Sequence, residues 1–94
     1  MRELVLTKGF ARQFAKLLSR NAGLLEKING TLEDLQNDPF QPSLATHKLK
    51  GKLGGNWSCS AGYDLRIVFE FEDRQPPAEQ AIILLDIGSH DNVY

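Results

Sequence analysis

The sequence predicts an α+β domain in which a short N-terminal strand and a helical hairpin precede an antiparallel β-meander. A change of apolar spacing and the placing of the turn signals carry this reading. Phe10, Phe14, Leu17 and Leu18 recur at helical intervals, whereas Leu65, Ile67, Phe69 and Phe71 alternate with Arg66, Val68 and Glu70, as in a strand with one buried face. Short links then join the last three strands closely enough to make them antiparallel neighbours. The 94 residues are expected to form a single domain, residues 1–94, burying roughly 60 to 70% of the surface of the unfolded chain.

Leu4, Val5 and Leu6 stand in succession within Arg2 to Leu6, as expected of a strand near the middle of a sheet. Thr7 offers an N-cap. Lys8 to about Arg20 then forms an amphipathic helix, with Arg12, Lys16, Ser19 and Arg20 away from the apolar stripe. Asn21-Ala22-Gly23 breaks it, and Leu25, Ile28, Leu32 and Leu35 restart the helical spacing until Asn37-Asp38-Pro39 stops it. Gly30 weakens this second helix by about 1 kcal/mol relative to alanine unless a close contact needs it.

From Phe40 to Gly55 neither period holds, and the run from His47 to Gly55 reads as a basic, glycine-rich loop, a place where binding groups are commonly carried. The hairpin Asn56–Phe71 comes next, turning at Gly62-Tyr63-Asp64. Trp57, Cys59 and Ala61 share its apolar side with the alternating residues of the second strand. Glu72 to Gln80, with Pro76-Pro77, is a turn. Ala81 to Ile87 is an apolar last strand with Ile82, Leu84 and Asp86 on one face and Ala81, Ile83, Leu85 and Ile87 on the other. Gly88 to Tyr94 is too short for a full helix. The helices are expected to cover one face of the sheet and leave the other open.

Composition removes several classes of function. The longest apolar run, Ala81 to Leu85, is far too short to cross a bilayer, and no signal-peptide core follows Met1, so no membrane association and a cytoplasmic location are expected. Cys59 is the one cysteine, which leaves no internal disulfide and no cysteine-based zinc site, and suits a small buried hydrophobe. There is no phosphate-binding P-loop, no His-Glu-x-x-His and no Gly-x-Ser-x-Gly elbow. The net charge of −1 conceals an asymmetry. Through Gly55 nine basic residues face five acidic ones, and beyond it two face seven, which permits a local basic surface on an acidic protein.

His47 and His90 are the two histidines, and each falls in an irregular segment at one end of the strands. Either could be a surface or capping residue. A sheet bringing His47, Asp64, Arg66 and His90 together would hold two groups able to exchange protons near neutral pH and a cation for phosphate. Trp57 has two readings, a packing residue or a platform for a stacked base.

Three segments carry a family resemblance: His47 to Gly51 (HKLKG), the hairpin Trp57 to Phe69 (WSCSAGYDLRIVF) and the end Leu85 to Tyr94 (LDIGSHDNVY). Together they resemble the RelE/ParE superfamily of bacterial toxins, and within it the YafQ-like mRNA interferases of type II toxin–antitoxin systems. The resemblance implies a ribosome-dependent endoribonuclease that cuts mRNA in the decoding site. It also implies a cognate antitoxin, no metal and no cofactor, with DNA reached only through the antitoxin complex. His47 matches the histidine of the His-x-Leu-x-Gly motif, Asp64 the aspartate opening the third strand, and Arg66 the arginine that holds phosphate. His90 matches the histidine of the Gly-Ser/Thr-His motif, and Tyr94 the aromatic residue four positions later. RNA contact would fall to Lys48, Lys50 and Lys52, helped by Lys8, Arg12 and Lys16 if the first helix borders the site.

The chain departs from that pattern at two positions. Ser60 stands where a further family histidine is expected and Leu65 where a tryptophan follows the aspartate. The pI of about 6.1 is low for such a toxin. Two other readings share the fold: a ParE-like toxin that binds DNA gyrase and needs no catalytic histidine, and an inert member that persists as a binding partner.

Overall fold

The computed structural model describes residues 1–50, 55–62 and 64–93, apart from the side chains of Asp91 and Asn92. The elements are β1 (Leu4–Leu6), α1 (Lys8–Arg20), α2 (Leu24–Asn37), a 3-10 turn at Pro42–Leu44, β2 (His47–Lys48), β3 (Trp57–Ser60), β4 (Leu65–Glu72), β5 (Ala81–Ser89) and the single helical turn α3 (His90–Val93). The predicted α+β class and element order hold, with one strand more than expected.

Thr7 starts α1 as predicted. Its backbone is extended, its Oγ1 accepts the Phe10 N–H at 3.2 Å, and its hydroxyl donates to the Leu84 carbonyl at 2.8 Å. One residue thereby caps the helix and ties its start to β5. α2 begins without a side-chain cap and ends where Asp38 Oδ1 accepts the Phe40 N–H at 3.0 Å. A Cβ added at Gly30 would meet nothing within 4 Å, so no contact offsets the helical cost of that glycine.

The strands form one five-stranded sheet in the order β1-β5-β4-β3-β2. β5 to β2 are antiparallel neighbours, and β1 joins the far side of β5 in parallel, Leu4 opposite Ile82. The expectation that β1 lies near the middle is therefore corrected: it is an edge strand. Its apolar run is explained by position, since Leu4 packs on the core while Leu6 is 51% exposed. The outer side is met by the end of α2, where the Arg2 N–H bonds the Gln36 carbonyl at 3.3 Å.

The predicted loop at 47–55 is corrected at its first two residues, which form β2, while its residues 51–54 lie outside the described residues. His47 and Lys48 pair with Ser58 and Trp57, and the Leu49 N–H reaches the Asn56 carbonyl at 2.9 Å. Two residues are too few to show a period of their own. The free backbone edge of β3 recruits them into the sheet.

The core lies between the helices and one face of the sheet. Phe10, Ile28 and Leu35 from the helices meet Cys59, Ile67, Phe69, Ile82, Leu84 and Ile87 from the strands, with Trp57, Leu65 and Phe71 packed at the margin. The hairpin's apolar face is the one predicted. The face assigned to Ile87 is not, because Phe69 pairs with Leu84 while Val68 pairs with Asp86, leaving Leu85 as an extra residue. This β-bulge shifts the alternation by one. Ile87 thus joins Ile82 and Leu84 in the core.

The opposite face is less open than expected. Ser58, Val68 and Ile83 lie on it, yet each is buried. Val68 is flanked on the same face by the long side chains of Arg66 and Glu70, two positions to either side. Among the described residues no helix is long and apolar enough to cross a membrane.

Candidate active site

Three of the candidate residues converge at one end of the sheet. Arg66 pairs across the strands with Ser60 on β3 and with Gly88 on β5. Asp64 immediately precedes β4, and its carbonyl accepts the His90 N–H at 3.2 Å. The hairpin turn and the start of α3 are thereby held together by the backbone, with Asp64 and His90 both exposed.

Arg66 is half-buried, and its guanidinium is held in place. Nη1 donates to the Leu65 carbonyl at 3.0 Å and, more weakly, to Ser60 Oγ and the Gly62 carbonyl, each at 3.5 Å. Ser60 itself donates to the Gly62 carbonyl at 3.0 Å. Gly62 adopts φ of +131°, a conformation that an L side chain resists. A Cβ there would also collide with the side chain of Lys27 on α2. Ser60 therefore braces the turn and the arginine. Its role was not legible in the sequence. A serine opposite an arginine in a hairpin is the signal that could have suggested it.

His47 lies elsewhere, exposed on the edge strand β2. It is level with Ser58, Val68 and Asp86, three strands from β5. With strands ~4.8 Å apart and a rise of ~3.3 Å per residue, a flat sheet would put its Cα about 19 Å from that of His90. Its Nδ1 is 3.0 Å from the Ala45 carbonyl, which requires the proton on Nδ1 and makes Nε2 the acceptor of the neutral ring. Lys48 is exposed opposite Trp57, and Lys50 is exposed just beyond the strand. Lys52 and Tyr94 lie outside the described residues, as does Tyr63 of the predicted turn.

Trp57 is half-buried and forms an aromatic cluster with Phe40 and Phe71, at centroid separations of 5.4 and 5.5 Å. It sits on the helix-covered face, so the packing reading describes it. Cys59 is fully buried. Burial pushes its thiol from 9.0 up to about 12, against a smaller lowering by the Arg66 charge, so it remains protonated and unreactive near neutral pH.

A groove of about 480 Å³ opens beside this end of the sheet. Gln13, Lys16 and Arg20 of α1 form one wall, and Gly88, Ser89 and Val93, on either side of His90, form the other.

The architecture is shared with solved toxin structures. The YoeB/ParE toxin from Agrobacterium tumefaciens superposes with a TM-score of 0.77 at 23% identity, covering 94% of this chain and 98% of that one. YafQ in the Escherichia coli DinJ–YafQ toxin–antitoxin complex gives 0.75 at 15% identity, covering 99% and 97%. A copper-bound mutant toxin from Helicobacter pylori gives 0.73 at 30% identity over the whole of both chains. Comparison of the sequence with curated proteins gives no match. The fold is thus that of a RelE/ParE-superfamily toxin. The family model described as "Bacterial toxin of type II toxin-antitoxin system, YafQ" matches residues 2–94, and the chain belongs to that family.

Proposed function

We propose that this toxin is a ribosome-dependent mRNA endoribonuclease, acting in the cytoplasm and held inactive by a cognate antitoxin. The observation that carries the reading is the convergence of Asp64, Arg66 and His90 at one end of the sheet, joined by the His90–Asp64 backbone bond. That end of the sheet thus carries a carboxylate, a guanidinium and an imidazole, the three kinds of group that cleavage of a phosphodiester calls for. The complex of YafQ with DinJ in Escherichia coli supports the antitoxin as partner, and DNA would be reached through such a complex.

In this mechanism the ribose 2′-oxygen attacks the adjacent phosphorus as its proton passes to the Asp64 carboxylate. The bond from phosphorus to the 5′-oxygen breaks, and His90 donates a proton to that departing oxygen. The products are a 2′,3′-cyclic phosphate and a 5′-hydroxyl end. Arg66, pre-oriented by Ser60 and two carbonyls, stabilises charge on the phosphorane. Asp64 is preferred to His47 as the base because its backbone is bonded to that of the acid, whereas His47 lies far across the sheet. His47, Lys48, Lys50 and Lys52 then serve the neighbouring nucleotides, and Tyr94 the nucleotide at the cut.

Expression of the wild type and a His90→Ala variant in bacteria tests the reading. Growth arrest and mRNA fragments with cyclic-phosphate ends are expected from the wild type, and neither from the variant. Equal arrest by both, with damaged DNA and intact mRNA, would establish gyrase inhibition instead. No arrest from either would mark an inert member of the family.

A further inference from the structure

α1 carries Lys8, Arg12, Lys16 and Arg20 and no acidic residue. All four are exposed, and none takes part in an ion pair among the described residues. In a chain of net charge −1, this is a concentrated basic surface. Each step of four residues rises ~6 Å along the helix and turns by ~40°. Arg12, Lys16 and Arg20 therefore share one flank, at intervals comparable to those between consecutive phosphates of an extended strand. Lys16 and Arg20 also wall the groove whose other side is Gly88, Ser89 and Val93.

Resting on the nuclease reading, we propose that this flank binds the backbone of the cleaved RNA on the 3′ side of the cut. The direction follows from the chemistry. His90 protonates the departing 5′-oxygen, so the nucleotide bearing that oxygen, the first on the 3′ side, lies next to His90. Ser89 and Val93 place the mouth of the groove on either side of that residue. A strand leaving the site there passes Gln13 and Lys16 and continues along the basic flank. The groove walls are hydroxyl, amide and cationic groups as well as apolar ones, suited to a sugar–phosphate chain. Asp86, the anion in the groove, has one carboxylate oxygen engaged by the Ile87 N–H at 2.8 Å.

A Gln13→Cys variant carrying a tethered iron chelate tests the path, because buried Cys59 does not compete for the label. The labelled toxin is bound to ribosomes programmed with an mRNA whose attacking 2′-hydroxyl has been removed, the cut having been mapped on the unmodified message. Radical scission is expected in the first few nucleotides 3′ of the cut. Scission on the 5′ side, or in ribosomal RNA alone, would overturn the proposal.

A Lys16→Ala/Arg20→Ala double variant should raise KM for mRNA without lowering kcat. It should flatten the salt dependence of log KM by about 1.4, from ~0.7 per lost contact to a single strand. An unchanged KM and salt slope, with weakened inhibition by the antitoxin, would assign the flank to an acidic protein segment and refute the proposal. If the unlabelled wild type fails to cut mRNA at all, the nuclease reading fails and the path with it. If it cuts normally and scission falls elsewhere, only the path is refuted.

Discussion

Replacing Ser60 with alanine separates bracing from catalysis at the candidate site. The change removes the donation to the Gly62 carbonyl at 3.0 Å and two weaker contacts, from the Gly62 N–H at 3.4 Å and from Arg66 Nη1 at 3.5 Å. The Gly62 carbonyl retains Arg66 as a donor, so no buried acceptor is orphaned. The expected cost is that of one net hydrogen bond, about 1 kcal/mol. For a chain of this size it corresponds to a fall of roughly 4 to 8 °C in Tm, measurable by thermal unfolding followed by circular dichroism. In mRNA cleavage on programmed ribosomes, the loosened arginine should cost about fivefold. Arg66→Ala, which removes the charge proposed to face the phosphorane, should cost about 10²- to 10³-fold. Loss of activity in Ser60→Ala as deep as in Arg66→Ala, at an unchanged Tm, would show that Ser60 acts on the substrate itself and refute the bracing argument.

Three further predictions concern stability and reactivity. Gly30→Ala, in the interior of α2 with open space around the new methyl group, should stabilise the fold by about 0.5 to 1 kcal/mol, read as a higher denaturant midpoint at unchanged slope. Cys59 should resist alkylation in the native state and react at once in urea. Its raised thiol pKa also carries a pH signature. Below pH 9 both folded and unfolded chains hold the proton, so the stabilisation is fully present. Between pH 9 and 12 only the unfolded chain releases it, and stability should fall by up to ~1.4 kcal/mol per pH unit. A Cys59→Ala variant should lack this component of the alkaline loss.

Much of the fold was written in local pattern. The helical spacing of Phe10, Phe14 and Leu17, the cap at Thr7 and the alternation from Leu65 to Phe71 each act within a few residues, and all appear where the sequence placed them. The motifs around His47, Asp64 and His90 likewise pointed to the family. Where neighbours across the sheet decide the outcome, the sequence was silent or misleading. β1 is at an edge because β5 offers it a parallel partner 78 residues away, Leu4 against Ile82. β2 exists because β3 has an open edge. Ile87 faces the core because one residue of β5 bulges against β4.

The site divides in the same manner. The proton-transfer groups of the candidate site, and the basic character of α1, were determined by the sequence alone, because such groups and charges are properties of single side chains. Tertiary structure decided which of them meet. Register places Ser60 and Gly88 on either side of Arg66, and a backbone bond brings His90 to Asp64. The same sheet carries His47 to its far edge and lays Lys16 and Arg20 beside the groove. Distances between strands depend on pairing over the whole chain, which no local spacing encodes.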